Sequence, residues 1–415
     1  MSDKNKSLVV MHLTWEFPPN KVGGIASVVE DLSLAQLRSG IVPVVVTCTF
    51  DDNNVGYENY KGIHVFRFNT NDIPAEDFPS WTMQMNILMQ NSASEIMKEF
   101  DVDILHGHDW LVTTAAVSLK HIYRIPLVST IHAMESGRYG GISGDRQEFI
   151  HSLEGRLVFE SWKIITNSHF MKKSVCEAFH TPWDKITVVP NAVNRDKINV
   201  TDDMLKRRNE IKSKYALDHE KIITYVGRHV WEKGIDVLIG AVPSILLTHP
   251  DSKIVIAGNG YYTDTAKKLA WDMGVSDKVC FPGFVNENEL SELLSVTDCF
   301  VVPSRYEPFG VTPLEAMSCN VPVVVSDTGG LSETVEHEIT GLKVFPGQSD
   351  SIAWGVCRML SDRDLVKRVK EKAHKKLIDY YNWDNMAKMT VEFYDSVLKE
   401  FDKNNWKPNK SIFNK

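Results

Sequence analysis

The sequence predicts an α/β protein that contains two Rossmann-like domains, one after the other. Short β-rich segments alternate with segments of helical period over residues 8–189, a polar stretch lies between residues 190 and 220, and the same alternation then resumes. Strands that alternate with helices form βαβ units and parallel sheets. We therefore expect an N-terminal domain at residues 1–200 and a C-terminal domain at residues 201–384.

The predicted strands of the N-terminal domain are short runs rich in valine, isoleucine and leucine. They are Leu8–Leu13, Val42–Cys48, His64–Phe68, Ile104–His106, Leu127–Ile131, Lys163–Thr166 and Ile186–Val189. The segments between these runs carry apolar residues at intervals of three and four, which is typical of amphipathic helices. The clearest such helices are Ile25–Arg38, Met83–Phe100 and Arg146–Glu160.

The C-terminal domain repeats this pattern. Its predicted strands are Ile222–Val226, Lys253–Ala257, Lys278–Phe281, Cys299–Val302, Val321–Val325 and Leu342–Val344, and its clearest helices are Gly234–Leu247, Thr263–Met273 and Leu290–Val296. A last helix, at about residues 385–402, is long enough to cross back onto the N-terminal domain. A polar tail fills residues 403–415.

Composition argues against several functional classes. The net charge is −8 and no long run of lysine or arginine occurs, which argues against nucleic acid or an anionic membrane as the main partner. The six cysteines are scattered without a Cys-x-x-Cys pair, so we expect free thiols in a reducing compartment. The first apolar run is too short for a signal peptide or a membrane span, and we expect a cytoplasmic protein without an integral membrane segment.

Open α/β sheets bind ligands beyond the carboxyl ends of their strands, and the first such loop here is Trp15–Gly24. Gly23 and Gly24 would let the backbone approach a ligand, their amides and the following helix would favour an anion, and Lys21 adds a positive charge. A plain glycine turn between a strand and a helix explains the same residues. Neither this loop nor Gly258-Asn259-Gly260 matches the dinucleotide fingerprint, so a dehydrogenase is weakly supported.

The loop that opens the C-terminal domain, Tyr225–Gly234, carries two cations at the start of a helix. Arg228 and Lys233 lie five residues apart after a predicted strand. A guanidinium fork and a lysine beside free helix N–H groups suit a diphosphate, which carries two or more negative charges. A solvated charged loop is the alternative.

A third segment, Pro303–Met317, contains two carboxylates in a loop-to-helix context. Glu307 and Glu315 could accept hydrogen bonds from sugar and ribose hydroxyls, while the amides around Gly310 face phosphate. A structural explanation competes for Glu315. Thr312-Pro313-Leu314-Glu315 fits a capping box with proline at the first helical position, which would begin a helix near Pro313.

These segments together resemble the retaining glycosyltransferases of the GT-B fold, most closely the glycogen and starch synthase branch of glycosyltransferase families 4 and 5. The matching segments span nearly the whole chain: Lys21-Val22-Gly23-Gly24, His106-Gly107-His108-Asp109-Trp110, Gly227-Arg228 with Lys233-Gly234, Glu307-Pro308-Phe309-Gly310-Val311 through Glu315, and Gly329-Gly330-Leu331-Ser332-Glu333-Thr334-Val335. The two glutamates with Arg228 and Lys233 are the specific part, because glycine pairs alone occur in many loops.

The resemblance implies an architecture and a reaction. Two Rossmann-like domains would face each other across a cleft that holds the active site. A hexosyl group, first of all glucosyl, would pass from an ADP-, UDP- or GDP-sugar to a carbohydrate or other hydroxyl acceptor with retention of configuration. No metal and no further cofactor would be needed, because Arg228 and Lys233 supply the positive charge.

The resemblance also gives roles to residues. The catalytic set would be His132, Glu307 and Asp109, and the substrate-binding set Lys21, Gly23, Gly24, Asn191, Arg228, Lys233, Phe309, Gly310, Val311 and Glu315. Arg228 and Lys233 would hold the donor diphosphate and Glu315 the ribose hydroxyls, while Glu307 and His132 orient the donor sugar. From the residues alone, His132 is better explained as a hydrogen-bonded histidine at a strand end.

The chain departs from the glycogen synthase pattern at Ser27, where those enzymes usually carry aspartate, and it is shorter than typical bacterial synthases. These departures weaken the case for glucan elongation from ADP-glucose and leave sugar transfer intact.

Three alternatives remain at this level. Asp101-Val102-Asp103 could be an Asp-x-Asp metal site, although its position at the start of an apolar strand favours a structural role. A nucleotide-sugar epimerase could use the same fold without an acceptor, and a non-catalytic sugar-nucleotide-binding protein could keep the cations without turnover. A glucan phosphorylase is disfavoured by chain length.

Overall fold

The computed structural model describes residues 7–406 and divides them into two units. The first unit contains residues 7–190 and 383–406, and the second is Asn191–Asn382. The chain therefore enters the second unit after Pro190, ten residues before the expected boundary. The start of the chain, residues 1–6, and residues 407–415 of the expected polar tail lie outside the described residues.

The first unit is built on a sheet that has eight strands among the described residues. They are β1 Val9–Leu13, β2 Val42–Thr49, β3 Gly56–Tyr60, β4 Ile63–Asn69, β5 Ile104–His108, β6 Leu127–Ile131, β7 Lys163–Thr166 and β8 Ile186–Val188, in the order β3-β4-β2-β1-β5-β6-β7-β8. All neighbours pair in parallel except β3, which runs antiparallel to β4 at the edge. Sequence reasoning missed β3, because its exposed, mostly polar residues carry no strand pattern.

The helices of the first unit before residue 190 are α1 Ile25–Arg38, α2 Phe78–Ile96, α3 Thr113–Tyr123, α4 Glu135–Tyr139, α5 Asp145–Glu160 and α6 His169–Phe179. The predicted bounds of α1 are confirmed. Helix α2 begins five residues earlier than predicted, because the Asp77 carboxylate accepts a hydrogen bond from the Ser80 amide at 2.7 Å and caps the helix there.

The second unit is a parallel sheet with six strands among the described residues. They are β9 Lys221–Val226, β10 Ser252–Ala257, β11 Val279–Gly283, β12 Cys299–Val302, β13 Val323–Ser326 and β14 Leu342–Val344, in the order β11-β10-β9-β12-β13-β14. Its helices are α7 Asp202–Lys206, α8 Arg208–Ser213, α9 Ile235–Thr248, α10 Thr263–Asp272, α11 Glu287–Val296, α12 Val311–Ser318, α13 Leu331–Thr334, α14 Ser349–Ser361 and α15 Arg363–Asp379. The predicted α/β class with two Rossmann-like domains is confirmed, and the antiparallel edge strand β3 is the exception to the parallel sheets.

The last helix, α16 Trp383–Asp402, belongs to the first unit and packs on α1. The exposed Arg38 guanidinium at the end of α1 lies 2.7 Å from the Asp384 carboxylate. The buried part of α16 includes Tyr394, whose hydroxyl reaches the interior of the sheet. The chain thus returns to its first sheet to complete the packing of α1.

Two predicted absences concern cysteines and membrane spans. All six cysteines lie within the described residues and are free thiols. No helix between residues 7 and 406 has the length and the apolar composition needed to cross a membrane.

Candidate active site

Three neighbouring strands of the first sheet deliver predicted site residues to its carboxyl edge. The loop with Lys21, Gly23 and Gly24 follows β1, Asp109 follows β5, and His132 follows β6. Since β1, β5 and β6 are adjacent and parallel, their carboxyl ends meet at the same edge. The structure therefore groups these residues at one edge of the first sheet.

The loop after β1 is organised by a buried carboxylate that sequence reasoning missed. One Glu16 oxygen, Oε2, accepts hydrogen bonds from the amides of Val22 at 2.6 Å and Gly23 at 2.7 Å, and Oε1 accepts one from Ala26 at 3.3 Å. The expectation that the Gly23 amide is available to phosphate is wrong for this conformation, because Glu16 already occupies it. The available signal was a lone glutamate between an apolar strand and a glycine loop.

Gly24 is a glycine that the fold itself does not require. Its backbone has φ −78° and ψ −16°, which any residue can adopt, and a Cβ added there would meet no atom within 4 Å. Neither backbone conformation nor packing among the described residues therefore requires a glycine at this position. Lys21 and Val22, in the same loop, are exposed.

Asp109 holds the end of β6 in place through its backbone. Its Oδ1 accepts a hydrogen bond from the His132 amide at 2.6 Å, and burial raises the pKa of this carboxyl while His132 opposes the rise. Asp109 has φ 59° and ψ 177°, a combination that costs about 1–3 kcal/mol for a residue with a side chain. The Asn167 amide group donates to the His132 carbonyl at 3.1 Å. The surroundings thus fix the backbone of His132 from both sides.

The side chain of His132 ends a chain of buried imidazoles, which we call the histidine cluster: His12, His106, His108 and His132. His12 lies opposite His106 in the register of β1 and β5. Sequence reasoning named His106 and His108 only as part of a family motif, without giving them a role. It missed His12, although a histidine inside the apolar run of β1 was a signal. Burial lowers the pKa of His12 to about 4 and lowers that of the other three.

Part of the histidine cluster has a spacing that a metal could use. Single ligand atoms of His12, His106 and His108 all lie within 4.8 Å of one another. All six ring nitrogens of these three residues already have hydrogen-bonding partners, however. A metal would have to displace these bonds. Asp103, from the alternative metal motif, accepts a hydrogen bond from the Val9 amide at 2.8 Å, as expected at a strand start.

In the second unit, the loops after β9, β12 and β13 pack backbone against backbone. Gly234 has φ 67°, and a Cβ there would lie 2.1 Å from the Pro303 carbonyl oxygen. Gly329 has φ 54°, and a Cβ there would lie 2.1 Å from the Glu307 carbonyl oxygen. These two glycines are required by both conformation and space, and they let the loops with Lys233 and Glu307 meet.

Lys233 and Glu307 form an ion pair at this junction. Lys233 Nζ lies 2.7 Å from Glu307 Oε2, and their side chains are only 17% and 13% exposed. Arg228 is held more loosely, because its side chain is half exposed and its Nη2 lies 3.5 Å from Glu232 Oε1. The structure therefore fixes the lysine and leaves the arginine accessible to an anion.

The loop after β12 is anchored by an arginine that sequence reasoning missed. The Arg305 guanidinium binds both carboxylate oxygens of Asp236, on α9, at 2.8 and 2.7 Å. The backbone amide of Arg305 also donates a hydrogen bond to the Glu232 carbonyl at 2.8 Å. This two-pronged contact ties the Glu307 loop to the start of α9 and to the loop that carries Lys233.

The capping explanation for Glu315 is wrong. Helix α12 begins at Val311 rather than near Pro313, its N-cap is Gly310 with φ 92°, and no side chain caps it. Glu315 therefore lies in the second turn and is half-buried. A different correction concerns Phe309, whose side chain is buried in the core and packs edge-on against Tyr381. Phe309 can reach a ligand only through its backbone.

Asn191 is the remaining predicted site residue. It directly follows Pro190, is the first residue of the second unit, and is buried.

Two family models match the chain and together cover most of it. Residues 22–197 match Glycosyltransferase Family 4, and residues 207–376 match glycosyl transferases group 1. The first range covers β2 to β8 of the first sheet, and the second covers β9 to β14 of the second sheet.

Individual proteins resemble the chain over nearly its whole length. An uncharacterized glycosyltransferase of Methanocaldococcus jannaschii is 40% identical over 93% of this chain and 98% of its own. A glycogen synthase of Mycobacterium tuberculosis is 31% identical over 93% and 94%. The catalytic domain of starch synthase IV from Arabidopsis thaliana, bound to ADP and acarbose, shares the fold with a TM-score of 0.75 at 17% identity, over 95% of this chain and 100% of that one.

The bonding of Glu16 predicts a stability effect. In Glu16→Gln the amide group replaces one acceptor oxygen, so at least one buried backbone N–H loses its partner. We expect the free energy of unfolding to fall by about 1–3 kcal/mol, measured by denaturant titration. Glu95→Gln is the control, because Glu95 is exposed on α2 and contacts Lys98. Equal effects of the two substitutions would contradict the assigned role of Glu16.

Proposed function

Because the chain belongs to the GT-B glycosyltransferases, we propose that it transfers a hexosyl group, first of all glucosyl, from a nucleoside-diphosphate sugar to a hydroxyl acceptor with retention at the anomeric carbon. One observation carries the proposal. Lys233 is held beside Glu307 at the carboxyl end of the second sheet, with Arg228 accessible in the same loop. A lysine fixed beside a carboxylate, with an accessible arginine in the same loop, suits a ligand that combines a diphosphate with a sugar.

The diphosphate would bind to the cations. Negative charge grows on the leaving diphosphate as the sugar–oxygen bond breaks, and donors fixed before the reaction stabilise that charge without reorganisation. Arg228 supplies a planar fork and Lys233 a point charge. The free N–H groups at the start of α12, from Val311 onward, add to them. These groups would take the place of a metal ion. The proposal does not specify whether the nucleotide of the donor is ADP, UDP or GDP.

Glu307 would orient the sugar by accepting hydrogen bonds from its hydroxyls, and Glu315 would do the same for the ribose. The acceptor hydroxyl would attack on the face that the diphosphate leaves, passing its proton to the departing phosphate oxygen. An inverting enzyme instead needs a general base on the opposite face. Asp109 is the candidate for that base, but its carboxylate is bonded to the His132 backbone. This engagement favours retention.

The experiment is a matrix of α-linked ADP-, UDP- and GDP-sugars against hydroxyl acceptors. Release of the nucleoside diphosphate identifies the active pair, and proton NMR of the first product gives its anomeric configuration. We expect an α-linked product, formed equally well with EDTA present.

Each other outcome contradicts a defined part of the proposal. A β-linked product would overturn retention and make Asp109 the base, and activity that EDTA abolishes would reinstate a metal. Conversion of the donor without any acceptor would indicate an epimerase. Tight donor binding with no turnover against any acceptor would indicate a sugar-nucleotide-binding protein.

Gly24 gives a prediction that separates activity from folding. In Gly24→Ala the new methyl group meets no protein atom, so the melting temperature should stay near wild type. If a donor phosphate approaches this backbone, the methyl group displaces it, and a shift of about 1 Å costs roughly 10²-fold in kcat/KM. Val22→Ala, two residues earlier and exposed, should leave kcat/KM unchanged. Wild-type activity in Gly24→Ala would show that no ligand approaches there.

A further inference from the structure

A continuous line of hydrogen bonds runs through the interior of the first unit from α1 to His132. Gln36 Oε1 lies 2.8 Å from His12 Nε2, His12 Nδ1 lies 3.0 Å from His108 Nε2, and His108 Nδ1 lies 3.1 Å from His132 Nε2. All four side chains are buried. The line therefore joins a helix residue outside the predicted site to a predicted catalytic histidine.

The three rings in this line are neutral near pH 7. Burial lowers the pKa of His12 to about 4 and lowers the pKa of His108 and His132. A neutral imidazole has one N–H donor and one bare acceptor nitrogen. When each ring bonds the next, the direction of the first hydrogen bond therefore fixes the direction of every later one.

The first direction is set by the two ends of the Gln36 amide. Its Nε2 donates to the Tyr394 hydroxyl at 3.0 Å, which leaves Oε1 facing His12 as an acceptor. His12 must then carry its proton on Nε2 and accept at Nδ1. His108 follows in the same sense, so His132 carries its proton on Nε2 and has a bare Nδ1.

A second branch from Gln36 has consistent directions. The Tyr394 hydroxyl accepts from Gln36 and uses its own proton for His106 Nδ1, 2.6 Å away. His106 then donates from Nε2 to the Thr130 hydroxyl at 2.7 Å. The orientation in which Gln36 Nε2 donates to Tyr394 is thus consistent with both branches, and the reversed amide would reverse every bond in them.

We propose that Gln36 is a positioning residue that fixes His132 in the Nε2–H tautomer through His12 and His108. Among residues 7–406, Nδ1 of His132 has no hydrogen-bonding partner, so it is left to accept a hydrogen bond from a hydroxyl of the substrate. That use of Nδ1 in sugar transfer rests on the proposed function. The tautomer itself does not.

The tautomer can be read directly in protein labelled with 15N-histidine. Long-range proton–nitrogen correlation separates protonated from bare ring nitrogens, and the His132 signals are those absent from a His132→Gln variant. We expect wild-type His132 to carry its proton on Nε2 alone. A proton on Nδ1 would overturn the proposal without any variant of Gln36 being needed.

Two substitutions and one control test the dependence on Gln36. Gln36→Met removes the acceptor, so His132 should become a mixture of tautomers and kcat/KM should fall about 10-fold. Gln36→Glu keeps an acceptor facing His12 and should restore the Nε2–H form. Thr130→Val removes a buried hydroxyl that ends the other branch, and it should leave the His132 tautomer unchanged.

Three outcomes would overturn the proposal. An unchanged tautomer in folded Gln36→Met would show that Gln36 does not set it. A shift in Thr130→Val as large as that in Gln36→Met would indicate general loosening of the core. A stoichiometric metal found by elemental analysis and bound to these rings would replace the proton chain. Absence of sugar transfer would refute the proposed function instead, because the tautomer is measured without substrate.

Discussion

The ion pair between Lys233 and Glu307 is the interaction on which the second unit's site depends. Two mostly buried charges are tolerated only when each is paired, since removal from water costs several kcal/mol per ion. The pair forms because Gly234 and Gly329 let neighbouring loop backbones come closer than any side chain would allow. The glycines of the sequence motif therefore serve the carboxylate and the lysine, and the motif is one construction rather than separate ligands.

In the first unit, polar groups at the edge of the sheet are held in place by hydrogen bonds rather than by ion pairs. Glu16 and Asp109 are both buried, and their carboxylate oxygens accept hydrogen bonds from backbone amides. Glu16 binds amides of the glycine loop, and Asp109 binds the amide of His132. The neighbouring imidazoles are neutral because burial lowers the pKa of each. The two carboxylates near the edge of this sheet therefore fix the conformation of the loop backbone, and the histidines act as oriented hydrogen-bond donors and acceptors.

Local patterns predicted those parts of the molecule that local forces determine. Helix α1 was predicted to the residue, because its apolar spacing and the glycines before it leave little choice. Strand β3 was not predicted, because an exposed edge strand needs no alternation of apolar and polar residues. Glu16 was missed although its partners lie close in sequence, because they are backbone amides that no side-chain pattern marks. His12 was missed because the folded sheet brings it to a partner 96 residues away in sequence. The predicted capping box at Glu315 is wrong because the N-cap of α12 is Gly310, two residues before Thr312.

The central claim is that Lys233 binds the donor diphosphate while Glu307 serves the sugar. Isothermal titration of the nucleoside diphosphate that the active donor releases tests it most directly, in wild type, Lys233→Met and Glu307→Gln. Lys233→Met should weaken binding at least about 10-fold, or about 1.4 kcal/mol. Glu307→Gln should bind the diphosphate as tightly as wild type or more tightly, because it removes a competing negative charge, and yet lose turnover. Equal weakening by both substitutions would contradict this division of roles.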